Sequence, residues 1–131
     1  MASIAVVDTN SLAKADELRR RTKKFAIRIV NVFRSLPRSA DAQILGKQAL
    51  RSGTSVAANY RAACRARSKA EFISKIGTVV EEADETVFWL EILTETGIVR
   101  AERIQDLLIE GNELLAIFAA SLQTAKKHQQ K

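Results

Sequence analysis

Four cations of one segment, Lys47, Arg51, Arg61 and Arg65, recur at intervals that return to one side of a helix, with the short Thr54 and Ala58 between them. Guanidiniums arrayed this way give bidentate, charge-assisted hydrogen bonds to phosphate oxygens, and nothing bulky keeps a phosphate backbone away. Arg20 and Lys24 lie upstream, in a stretch from Lys14 to Arg38 that holds nine basic residues against two acidic ones. The third segment has the opposite sign: Glu71, Glu81, Glu82, Asp84, Glu85, Glu91 and Glu95 stand against Lys69 and Lys75. The positive charge therefore has two open destinations. It can meet an anionic partner such as nucleic acid, or it can neutralise the acidic segment within a subunit or across a subunit interface.

Catalytic chemistry has no foothold in the same inventory. A helical di-iron site needs inward Glu residues and Glu-x-x-His pairs, but the single histidine, His128, lies in a polar tail. Glu81, Asp84 and Glu85 share a helix face opposite the apolar stripe, which suits solvent or ion pairing better than a metal. There is no Ser/His/Asp or Cys/His set and no glycine-rich phosphate loop, and nothing visible would tune a carboxylate into a neutral-pH base. No enzymatic role, metal or cofactor is expected. Cys64 is alone, so there is no disulfide framework or CxxC signature, and it reads as a small packing residue.

These side chains must be positioned by helices. With 131 residues, 47% of them apolar and 27% charged, the chain is one domain able to bury a single core. One Pro and five Gly leave room for long helices and argue against a turn-rich β fold. The net charge of +6 leans toward anionic partners, though magnitudes of about 2–8 also serve solubility alone. No stretch approaches the roughly 20 apolar residues of a membrane span. Met1 to Ala13 lacks a leading positive charge and reads as a loose N-terminal arm rather than a signal peptide. A reducing, cytoplasmic home is expected, with no membrane association.

Apolar residues at helical spacing mark four helices. The first runs from about Ala15 to Leu36 on Leu18, Phe25, Ile29, Val32, Phe33 and Leu36, and Pro37 ends it. Ser39 can cap the second, whose inner positions Leu45, Ala49, Ser52, Val56 and Ala63 are mostly small and which ends near Ala66. Ser68 and Glu71 form a capping box for the third, built on Phe72, Ile76, Val79, Val80, Ala83, Val87 and Leu90. Gly97 suits its left-handed C-terminal cap. The fourth runs from about Ala101 to Lys127 on Ile104, Leu107, Leu108, Leu114, Leu115, Phe118 and Leu122. Short connections predict antiparallel neighbours, hence an all-α, up-down-up-down four-helix bundle over 14–128, with an arm at 1–13 and a polar tail at 129–131.

Some apolar residues fall off the core stripe. Phe88, Trp89 and Ile92 lie roughly opposite it on the third helix, as do Ile27 and Val30 on the first and Ile109 and Ile117 on the fourth. Burying one such side chain contributes about 1.5–3 kcal/mol, so a contiguous set marks either an interface or a helix end wrapped by the N-terminal arm or the fourth helix, and the interface is the favoured reading. Self-association is expected, with Trp89 as the leading contact and Ile27, Val30, Phe88 and Ile92 around it.

Two stretches carry a family likeness. Gln48, Arg51, Ser52, Ser55, Val56 and Asn59, followed by Tyr60-Arg61, and the run Glu82 to Leu93 with Trp89 inside it, resemble the small bacterial four-helix bundle family, also called 23S rRNA intervening-sequence proteins. Phe72-Ile73-Ser74-Lys75-Ile76 fits the same pattern, and the likeness covers about Leu18 to Leu122. One position departs: where the family has Glu after the Tyr-Arg pair, this chain has Ala62. The resemblance implies an antiparallel bundle that assembles as a ring-like homopentamer. A more distant likeness in fold is to the accessory protein of diversity-generating retroelements, a basic pentameric barrel that binds nucleic acid and a reverse transcriptase; that link is an analogy of fold.

Two functions follow as expectations. One is a non-catalytic homo-oligomer binding RNA rather than DNA through Arg20, Lys24, Lys47, Arg51, Arg61 and Arg65, mainly by backbone and shape because few aromatics are free to stack on bases. The other is a scaffold for a partner protein, such as a reverse transcriptase, with the charge serving partner choice.

Overall fold

The computed structural model describes residues 9–129. Four helices occupy them: α1 (Thr9–Arg34), α2 (Ala40–Cys64), α3 (Lys69–Glu95) and α4 (Ala101–Gln129). At 1.5 Å per residue these rods are about 38 to 44 Å long. No strand occurs among the described residues.

The helix ends follow local chemistry. Ser68 Oγ accepts the N–H of Glu71 at 3.0 Å. Glu71 Oε1 reaches back to the N–H of Arg67 at 3.3 Å, one residue earlier than a standard capping box would take it. Gly97 holds φ +77° just after the C-cap Thr96. Only glycine takes that left-handed conformation without strain, and it lets Val99 N–H return to Leu93 O at 3.0 Å. Ser39 is the N-cap of α2 by position, but its side chain caps nothing. Asp41 supplies the acceptor instead, taking the Ala42 N–H at 2.8 Å. Its carboxyl is held below the ordinary carboxylate range by the Ser39 side chain and that amide.

The largest departure from expectation is the start of α1. The helix begins at Thr9, so residues 9–13 of the anticipated arm are helical, while Met1–Asp8 fall outside the described residues. Apolar periodicity could not mark this extension, because Ser11 to Lys14 are all solvent-facing and Leu12 is 57% exposed. At the other end α4 extends through Gln129.

The core runs along the inner stripes. Phe25, Ile29, Val56, Ile76, Val79, Leu90, Leu93, Ile104, Leu114 and Phe118 are almost fully buried. Each contributes about 1.5–3 kcal/mol relative to exposure. Tyr60 of α2 sits tilted on Phe118 of α4, with ring centroids 4.9 Å apart. Three polar residues, Thr22, Ser52 and Thr86, are buried among them. Each turns its hydroxyl onto a carbonyl of the preceding turn, Leu18 O, Gln48 O and Glu82 O respectively. No buried side-chain polar atom among the described residues lacks a partner.

α1 packs on α2, α2 on α3 and α3 on α4, while α1 and α4 meet only sparsely. Contacts show how the helices run. Leu36 and Phe33 approach Gly46 while Ile29 approaches Gly53, so numbers fall on α1 as they rise on α2. On the other side of α1, Phe25 lies at Gly111, and Arg21 binds Glu110 and Glu113. The two glycines of α2 let α1 come close: a Cβ on Gly53 would stand 2.8 Å from Ile29 Cγ1.

Candidate nucleic-acid interface

The cations of α2 divide into two groups. Arg51, midway along the helix, is absorbed by the fold. Its Nη1 donates to Glu82 Oε2 at 3.2 Å, its Nη2 contacts Glu85 Oε2, and Gln48 Oε1 lies at 3.3–3.4 Å from the same guanidinium. Glu85 Oε2 also accepts the indole N–H of Trp89 at 3.0 Å. The antiparallel run of α2 and α3 from a short turn puts residue 51 opposite residues 82 and 85, where acids stand ready. Arg51 is therefore ion-paired within the fold, and the intramolecular destination of the charge is met at this residue.

Arg61 and Arg65 lie nearer the α2–α3 turn, where α3 offers only Glu71, and that carboxylate is engaged at Arg67. They face the other way, into a groove between α1 and α2 of about 580 Å³. Arg19 and Lys23 of α1 form the opposite wall, with Thr22, Ala57 and Ala58 between the walls and Cys64 at one end. Among the described residues Lys23, Arg61 and Arg65 have no carboxylate within ion-pairing distance, and Arg19 is paired to Asp16, one turn away on its own helix. The groove thus gathers four cations on a floor of small side chains. Tyr60 lies buried beside Cys64, and burial pushes its phenol well above the ordinary tyrosine range.

The remaining sequence-derived candidates lie elsewhere. Arg20 and Lys24 are exposed on α1 but do not line the groove. Lys47 is exposed on α2, fourteen residues before Arg61 and so about 21 Å away. Of the apolar set, Ile27 and Phe88 are about half exposed, at 52% and 49%. Trp89, Val30 and Ile92 are only partly exposed, and Trp89 packs on the core with its N–H tied to Glu85. Phe88, edge-on to Trp89 at 5.0 Å, is the member of the pair that reaches solvent.

Three residues of consequence escaped the sequence reading. Arg19 and Lys23 complete the groove, and their i, i+4 spacing was the signal; the pairing of α1 with α2 was needed to use it. Arg21 bridges α1 to α4, donating to Glu110 at 2.9 and 2.6 Å and to Glu113 at 3.1 Å. Glu110 holds this guanidinium even more firmly protonated than usual. Among the described residues, no group of three His, Cys, Asp or Glu is placed to hold a metal ion.

The family profile described as 23S rRNA-intervening sequence protein matches residues 15–120. The chain belongs to this family. It is also similar to a crystallised protein of unknown function from the S23 ribosomal protein family of Bacteroides thetaiotaomicron, at 34% identity and a TM-score of 0.78. That likeness covers 84% of this chain and 98% of the other. A search of curated proteins gave no match. The two motifs that carried the family resemblance meet in space: Gln48 and Arg51 from one close on Glu82, Glu85 and Trp89 from the other. This part of the family signature thus joins α2 to α3. Ala62, the departure from the family pattern, lies half-buried between Ala58 and Arg65 by helical spacing. No helix of the described residues is long and apolar enough to cross a membrane.

Proposed function

We propose that this chain is a non-catalytic, cytoplasmic homo-oligomer, pentameric as the family resemblance implies, that binds RNA along the α1–α2 groove. The observation that carries this reading is the convergence of Arg19, Lys23, Arg61 and Arg65 on one groove, three of them without a carboxylate partner among the described residues. Two guanidiniums on one wall suit bidentate contact with phosphate oxygens. The floor has no aromatic side chain, so bases do not stack there and recognition falls to backbone and shape. Ala62 keeps a carboxylate away from Arg65, which strengthens the local positive field. The family description names 23S rRNA only as the place of an intervening sequence, and RNA is taken on that ground as the first ligand to test.

The test is a salt titration of binding to a structured RNA, with a matched DNA duplex and an unrelated RNA as competitors, for the wild type and Arg61→Glu/Arg65→Glu. Binding that survives competition at physiological salt is the expected result. The double variant should lose on the order of 100-fold in affinity and flatten the salt slope by about 2, one per phosphate contact removed, with its helix content unchanged. An unchanged affinity in the double variant removes the groove from the mechanism. Weak, unselective wild-type binding, with recurrent capture of one protein, replaces RNA by a protein partner.

A further inference from the structure

The cations of α1 that stay out of the groove form a stripe with a counterpart on α3. Arg20, Lys24, Ile27, Asn31 and Arg34 follow one another at intervals of four, three, four and three residues, and Glu81, Glu85, Phe88, Ile92 and Glu95 follow the same intervals. Such spacing keeps each set on one face of its helix. All five α1 residues are exposed. On α3, Glu81, Phe88 and Glu95 are exposed, and the exposed Asp84 and Glu91 flank Phe88. Each stripe thus has one half-exposed large apolar residue at its centre and like charges at its ends, positive on α1 and negative on α3.

Phe88 also borders a groove between α3 and α4 of about 580 Å³, whose floor includes Val87 and Leu115 and whose walls carry Glu81, Asp84 and Glu91. No cation lines it. An apolar centre within a charged rim is the anatomy of a protein interface. Neither stripe suits a twofold contact with its own copy, because like charges would face each other. Among the described residues the backbones of α1 and α3 are not adjacent, and their side chains converge only in the core, so the solvent-facing stripes are not consumed by each other within one subunit.

We propose that the α1 stripe of one copy docks on the α3 stripe of a second copy, Ile27 against Phe88. With the helices side by side in the same direction, Arg20 meets Glu81 and Arg34 meets Glu95. This contact is head-to-tail, leaving an unused stripe of each kind at the ends of any open chain, so association proceeds until a ring closes. The inference rests on the self-association part of the proposed function and assigns Arg20 and Lys24 to the subunit contact, leaving Arg61 and Arg65 to the groove.

The test measures native mass at low salt with no nucleic acid present, so the RNA reading can fail without touching it. Wild type is expected well above the 14.5 kDa monomer. Arg20→Glu/Lys24→Glu and Glu81→Lys/Asp84→Lys should each fall to monomer with helix content retained. An equimolar mixture should regain a mass above the monomer as alternating open chains or even-numbered rings, because each reversed stripe accepts only the other variant and a five-membered ring cannot alternate the two. Ile27→Asp, a single change at an exposed site, serves as an independent break should a double reversal unfold. A monomeric wild type, a variant that keeps the wild-type mass, or a mixture that stays monomeric overturns the proposal. If the α1 reversal abolishes RNA binding while the mass holds, the stripe belongs to RNA instead.

Discussion

α2 meets α1 with glycines and α3 with an arginine. Toward α1, Gly46 and Gly53 bring the backbones together, and the seam opens farther along into the cationic groove. Toward α3, Arg51 is clamped by Glu82, Glu85 and Gln48. Three arginines that look equivalent on a helical wheel therefore have different fates. What separates them is not their own spacing but what the antiparallel neighbour holds opposite them: acids at residue 51, almost none at 61 and 65. A row of positive charge is free for a ligand only where the facing helix leaves it so.

Substitutions along these two seams test the contrast. The largest effect is expected at the glycine seam. Gly53→Val drives a branched side chain into Ile29, itself stiff at its β-carbon, and should cost about 3 kcal/mol in denaturant unfolding. Gly77 of α3 has nothing within 4 Å of an added Cβ, so Gly77→Ala should instead gain up to about 1 kcal/mol of helix propensity. Equal responses at the two glycines would mean that close approach does not organise the α1–α2 seam.

A smaller effect is expected at the clamp. Arg51 is half exposed, and exposed ion pairs contribute about 0–1 kcal/mol, so Arg51→Gln should cost no more than about 1 kcal/mol. It should nevertheless shift the fluorescence of Trp89, the single tryptophan, by releasing Glu85, and leave RNA affinity unchanged. A drop in affinity as large as that of the groove variant would erase the distinction between the two kinds of arginine.

The smallest effect is silent at neutral pH. Tyr60 is the single tyrosine, so phenolate absorbance reports it alone. Its pKa is raised above 10.0 by burial and by Cys64. Stability from the neutral phenol is therefore complete below the unfolded value near 10 and is lost as pH rises from there toward the folded value. Phenolate should appear only above the ordinary range and together with loss of helical signal. Titration at the ordinary value with the fold intact would place Tyr60 in contact with water.

Local signals carried much of the fold. The inner stripes of all four helices, the Ser68–Glu71 cap and Gly97 depend on residues within a few positions of one another, and the structure places them as their chemistry dictates. The start of α1 was not legible because a wholly solvent-facing turn has no apolar period. Ser39 illustrates a competition within reach of one turn, in which Asp41 took the amide that a cap would have held. The groove was half legible. Arg61 and Arg65 could be named from spacing on α2, but Arg19 and Lys23 come from another helix, and only the register between α1 and α2 brings the four together. The register between α2 and α3 diverted Arg51 to Glu82 and Glu85, which charge arithmetic along the chain left open.

The α1–α4 seam closes the circle of helices with few close backbone approaches, with Phe25 against Gly111, and with a guanidinium held by two carboxylates. Ions in solution weaken such a clasp far more than they weaken the oily joints elsewhere. Of the seams that hold the bundle, this is therefore the one whose grip ionic strength adjusts most.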